Sequence, residues 1–150
     1  MTILRKKLEA NQRRLKRPDR LKVLDSFGVS ASALGIEAHE NVVSALRGIA
    51  TGARPQPMSA SDVAEKLRAF GTGDFLILLD WNFEDEPAFI VPRNAVADAL
   101  AENPEFFGLD GFIAVDGGSS RAIFVDIDEH SELAFEEAGL PAPQDKHAQD

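Results

Sequence analysis

Apolar positions recur along this chain first at helical and then at strand spacing, and the change of period divides it into two halves. Leu4, Leu8 and Leu15 fall on one narrow stripe of a helix that Thr2 can cap. Arg5, Glu9 and Arg13 supply i,i+4 pairs along it, and Pro18 predicts its end near Lys16. Asp19 to Phe27 reads as a second short helix with Leu21, Val23, Leu24 and Phe27 available for burial, and Gly28 stands at its C-terminal stop. A third helix, about His39 to Ala50, presents Val42, Val43, Leu46 and Ile49 at helical spacing. After the Gly- and Pro-rich stretch Thr51 to Met58, Ser59 followed by Asp62 forms a capping signal. It opens a helix to Phe70 with Val63, Leu67 and Phe70 on its inner face.

Strand periodicity takes over at Phe75. Phe75 to Trp81 is apolar except for Asp80, as expected of a strand covered on both faces at the centre of a sheet. Ala88 to Val91 is its hairpin partner across the acidic turn Asn82 to Glu86, and Pro92 closes that strand. Asn94 caps a helix through about Glu102, with Val96 and Leu100 inward. Phe112 to Val115 and Ala122 to Ile127 are strands joined by the turn Asp116-Gly-Gly-Ser-Ser120, and Glu132 to Glu136 fits either a further edge strand, which its alternation favours, or the start of a helix. The order predicts an α+β fold: an antiparallel sheet of four or five strands, hairpin plus meander, with helices on one face and an N-terminal helical segment before it. The expected divisions are a basic helix over 1–17, a single domain over 18–140 and a flexible tail over 141–150.

Charge adds a polarity that periodicity does not reveal. The net charge is −9, yet residues 1–22 hold nine Lys or Arg against Glu9 and Asp19, so a +7 segment precedes a body of −16. An isolated helix of about 15 residues is marginal in water. The basic helix is therefore expected to dock on its own acidic body or on a second copy, which could form a homo-oligomer through Leu4, Leu8 and Leu15. The chain has no cysteine, which excludes disulfides, thiolate nucleophiles and Cys-ligated metal centres. With no apolar run long enough for a secretory core or a membrane span, the expected location is cytoplasmic, without a membrane partner.

No short motif names a reaction. Asp126 and Asp128 share one strand face, His130 lies close in sequence and Asp116 across the hairpin. Carboxylates and imidazole clustered in this way suit a divalent cation, so Asp116, Asp126, Asp128 and His130 form the candidate metal site of an enzyme alternative, a small hydrolase or metal-binding enzyme. Ser131, His130 and Asp126 do not make a triad, because adjacent strand residues point to opposite faces. Asp80 reads as a strand-end carboxylate facing solvent, and Gly71-Thr-Gly73 as a simple turn, since it precedes a strand where phosphate loops precede a helix. Phe27-Gly-Val-Ser30 resembles the turn of a helix-turn-helix. The segment after it carries no Lys or Arg, so nucleic acid is expected only non-specifically, through the N-terminal helix. No cofactor is implied.

The charge pattern points to a non-enzymatic protein-binding module that engages a basic protein partner, an immunity- or antitoxin-like role being one concrete form. Its candidate partner-binding residues are Glu84, Asp85, Glu86, Asp126, Asp128 and Glu129.

Overall fold

The computed structural model describes residues 3–34, 36–49, 56–70, 73–102, 111–116, 121–127 and 133–139. Among these residues four helices, α1 (Ile3–Ser26), α2 (Ile36–Ile49), α3 (Ala60–Ala69) and α4 (Arg93–Glu102), accompany one antiparallel sheet. Its five longer strands are β3 (Phe75–Leu78), β4 (Ala88–Val91), β5 (Phe112–Asp116), β6 (Arg121–Ile127) and β7 (Leu133–Gly139). Two short strands absent from the sequence expectation, β1 (Ser32–Ala33) and β2 (Gln56–Met58), complete the edges, and the spatial order is β1-β4-β3-β5-β6-β7-β2. The α+β class, the hairpin β3–β4, the meander β5–β6–β7 and the strand character of the last acidic segment all follow the hydrophobic pattern.

Strand alternation sorts the core into two layers. Phe75, Ile77, Phe89, Val91, Phe112, Ala114, Ile123 and Val125 face α3, α4 and the end of α1, where Val63, Leu67, Val96, Leu100 and Leu24 cover them. Their neighbours Leu78, Ala88, Ile113, Val115, Ala122 and Phe124 face the other way, against Val43 and Leu46 of α2. The expectation of helices on one face is thus corrected, because α2 packs on the opposite face to α3 and α4. Strands apolar on both sides require this, since a bare face would leave Ile113 and Phe124 in water. Trp81 closes the second layer, its ring edge-on to Phe124 at 5.4 Å and its indole N–H donating to the Val125 carbonyl at 3.0 Å.

The second correction concerns Pro18. The chain does not break there, and the two short helices expected on either side form one helix of 24 residues with Pro18 inside it. An interior proline removes one backbone hydrogen bond and crowds the preceding turn, at a cost of about 3 kcal/mol. Pro18 lies on the exposed side, while Arg13 and Lys16 before it and Arg20 after it bond to one acidic segment, and Leu24 anchors the far end in the core. These tertiary contacts hold the helix continuous through the proline. At the C-terminus, Gly28 at φ +76° turns the chain so that the Val29 N–H reaches the Leu24 carbonyl at 2.9 Å. The capping signal at Ser59 is present as read, its hydroxyl accepting from the Asp62 N–H at 3.1 Å.

Two glycines differ in what confines them. Gly28 is open, whereas at Gly111 (φ +94°) an added Cβ would lie 2.1 Å from the Val125 carbonyl oxygen. Gly28→Ala is expected to cost about 1 kcal/mol, the left-handed backbone penalty alone. Gly111→Ala should cost distinctly more because the β5–β6 ladder must also shift, and equilibrium urea unfolding of the two variants measures the difference.

Candidate functional site

Of the four cations at positions 13, 16, 17 and 20, Arg13, Lys16 and Arg20 recur every three or four residues and share one ridge of the helix, with Arg17 to its side. Three of them converge on the acidic turn between β3 and β4. Arg13 donates to the Glu84 carbonyl at 2.8 Å and also pairs with the Glu40 carboxylate of α2. Lys16 lies 3.3 Å from Asp85 and 3.8 Å from Glu86. Arg20 reaches both Glu86 oxygens, Nε to Oε2 at 2.6 Å and Nη2 to Oε1 at 3.2 Å, the two-pronged geometry that a guanidinium makes with a carboxylate. Arg47 of α2 donates to Glu84 at 2.8 Å from the other side.

Glu86 is fully buried at the centre of this arrangement. Burial pushes its carboxyl above the usual glutamate range, while the Arg20 hydrogen bond pulls the other way. The same bond raises Arg20. His39 of α2, also buried, lies behind the turn with Nε2 2.8 Å from the Glu86 carbonyl oxygen. A carbonyl only accepts, so Nε2 carries the ring proton and Nδ1 presents a lone pair. Burial, with Arg13 nearby, holds His39 below the ordinary histidine range, consistent with a neutral ring.

The sequence-derived candidates separate into three groups. Glu84, Asp85 and Glu86 are brought together, but their immediate partners are the chain's own cations, the first of the two docking modes expected for the basic helix. Arg13, Lys16 and Arg20 are therefore turned toward protein carboxylates rather than toward nucleic acid. Asp116 and Asp126, the described members of the proposed metal cluster, are not brought together. Asp116 ends β5 opposite Phe75, whereas Asp126 lies one residue beyond the Phe112–Val125 pair at the other end of the ladder. Five residue steps put them roughly 17 Å apart, and strand alternation assigns them to opposite faces. No group of three or more candidate metal ligands occurs among the described residues. Asp128, Glu129, His130 and Ser131, like the tail 141–150, lie outside them. Asp80 accepts the Asn82 N–H at 2.9 Å and so shapes the acidic turn.

The partners missing from the sequence reading are Arg13, Lys16, Arg20, Arg47, Glu40 and His39. The signal for three of them was present in the 13–16–20 spacing. Ending the helix at Pro18 assigned Arg20 to a different element and hid the ridge.

The Arg20–Glu86 pair is asymmetric. Arg20→Met leaves a buried carboxylate with only the more distant Lys16 and is expected to lower stability by about 3 kcal/mol near neutral pH. The deficit should shrink as the pH falls and Glu86 takes up a proton, which urea melts between about pH 8 and pH 5 resolve. For His39 the sign is opposite to that of Glu86. Its folded pKa is depressed, so the unfolded chain binds more protons below the ordinary histidine value, and this contribution to stability is lost as the pH falls through that interval. His39→Gln should remove that component and flatten the acid-side loss relative to the parent.

Compared with known proteins, the chain matches no family model, no curated protein and no solved structure.

Proposed function

We propose that the protein is a non-enzymatic binding module whose acidic surface engages a basic protein partner. The observation that supports this reading is the grip of the Asn82 to Glu86 turn on α1. Three consecutive acidic residues, with Glu40 beside them, receive cations spaced along one helix face, which is the recognition that a basic helix from another protein would require. In this view α1 is the turn's intramolecular ligand. An external basic segment competes with it for Glu84 and Asp85, both partly accessible, or meets Asp126, exposed on β6 at the same end of the sheet as the turn and followed in sequence by Asp128 and Glu129. Steering by a net charge of −9 speeds encounter with a cationic partner, the physics of small inhibitors that neutralise basic enzymes, and an immunity- or antitoxin-like role is its concrete form.

Self-association belongs to the same reading. Leu4, Leu8 and Leu15 are 67%, 55% and 59% exposed on the outward side of α1, a larger apolar display than the rest of the described surface carries. Sedimentation should show a concentration-dependent dimer that Leu4→Ser/Leu8→Ser/Leu15→Ser abolishes, and a monomer at every concentration removes this part.

The tagged chain, used to capture partners from its native cell, should retain one stoichiometric basic protein. That partner should be released as salt rises from about 0.05 to 0.5 M, where charges more than a few ångströms apart are screened. Asp126→Lys or Glu84→Lys/Asp85→Lys should weaken capture. A chain that retains nothing, or a partner indifferent to all three charge reversals, overturns the proposal.

A further inference from the structure

The cations that α1 does not spend on the acidic turn have a different surrounding. Lys7, Arg14 and Arg17 line a groove of about 580 Å3 between α1 and the edge strand β1, with Asn11 beside them and Ala33 and Leu34 as the apolar wall. That volume lies within the range of small-molecule sites. Among the described residues lining it none is a carboxylate, and none of the three cations forms an ion pair with a described residue. In a chain of net charge −9, an unneutralised triple positive charge facing one concavity is a local reversal of field.

The groove has a floor. Arg17 and Leu34 also line a smaller cavity of about 20 Å3, together with Arg13 and His39. A space of this size holds about one oxygen-sized group. Two buried nitrogens at this level lack a hydrogen-bond partner among the described residues, Nε of Arg17 and Nδ1 of His39, and His39 is 4% exposed. The first is a donor. The second is an acceptor, because the ring proton is on Nε2. Leaving such groups unmade costs about 1–3 kcal/mol each, so an occupant that satisfies both is favoured.

We propose that this groove is a binding site for a small aliphatic phosphomonoester. Lys7, Arg14 and Arg17 supply the charge for a phosphate dianion or monoanion, with Arg17 able to donate to its oxygens. In the monoanion a phosphate hydroxyl matches the lone pair of His39 Nδ1, a match that a fully ionised carboxylate cannot make. The organic part lies against Ala33 and Leu34. Among the described residues lining the groove none is aromatic and able to stack a base, which favours a short polyol or alkyl ester over a nucleotide. The site is distinct from the acidic turn and stands or falls separately from the protein-binding reading.

Isothermal titration of the full chain with glycerol phosphate, inorganic phosphate and citrate tests the proposal. Glycerol phosphate should bind at one site and more tightly than inorganic phosphate or citrate. Lys7→Glu/Arg14→Glu should weaken it by about tenfold or more, as expected for the loss of charge-assisted contacts. Both side chains are exposed and outside the ion-paired ridge, so the thermal midpoint should be retained, and Lys22→Glu, farther along the same helix, should leave affinity unchanged. In the unmodified protein, the nitrogen-15 shift of His39 Nδ1 should move on saturation, placing the ligand independently of any variant. No saturable binding up to about 10 mM, equal affinity for citrate, unchanged affinity in the charge-reversed variant or an unmoved His39 resonance would each overturn it.

Discussion

A single buried carboxylate organises this protein. Glu86 has no solvent exposure, and a charge in that position is tolerated only where fixed donors replace its water. Arg20 supplies the main donors, and Lys16 adds charge. Because both cations are on α1, the solvation of one side chain requires the whole helix to lie against the turn. The same requirement sets the path of the backbone at Glu86, whose carbonyl accepts from His39 and so ties α2 to the turn. Three segments far apart in sequence thus meet around one group. Burial pushes its carboxyl above the ordinary glutamate range while Arg20 pulls the other way, as expected of a contact in which desolvation opposes the pairing.

Packing holds the rest of the fold. The sheet is apolar on both faces, and each face has its own helical cover, α3 and α4 on one side and α2 on the other. Four fully buried phenylalanines, Phe75, Phe89, Phe112 and Phe124, are among the largest side chains removed from water. Three of them face the α3–α4 layer and Phe124 faces the α2 layer. The long helix α1 touches the core chiefly through its C-terminal turns, where Leu24 is buried, and its N-terminal half is held mainly by charge. This division explains how α1 can leave Leu4, Leu8 and Leu15 exposed and still be ordered. It also gives the helix two chemically different flanks, one neutralised by the acidic turn and one presenting Lys7, Arg14 and Arg17 to the groove beside β1.

What could be read in the sequence was local. The period of apolar residues located α3, α4 and the strands from β3 to β7, because each buries its own side chains in a fixed alternation with its neighbours. Ser59 before Asp62 and Asp80 before Asn82 were legible for the same reason, their bonds spanning two or three residues. The short edge strands β1 and β2 were not, since two or three residues carry no periodicity and pair only because a neighbouring strand is already in place.

The sequence by itself determined the fold class, the pairing of opposite charges as the dominant electrostatic theme, and the chemistry that a chain without cysteine lacks. Tertiary structure decided which charges meet. Glu84, Asp85 and Glu86 read as a solvent-facing patch because an acidic turn usually is one, and only the arrival of α1 converts them into an internal binding site. Asp116 and Asp126 read as neighbours across a hairpin, and the register of β5 on β6 sends them to opposite ends and faces. Pro18 read as a helix end because its local cost is real. It lies within a continuous helix because Arg13, Lys16 and Arg20 make contacts on both sides of it, tens of residues away in sequence, that no local rule can weigh.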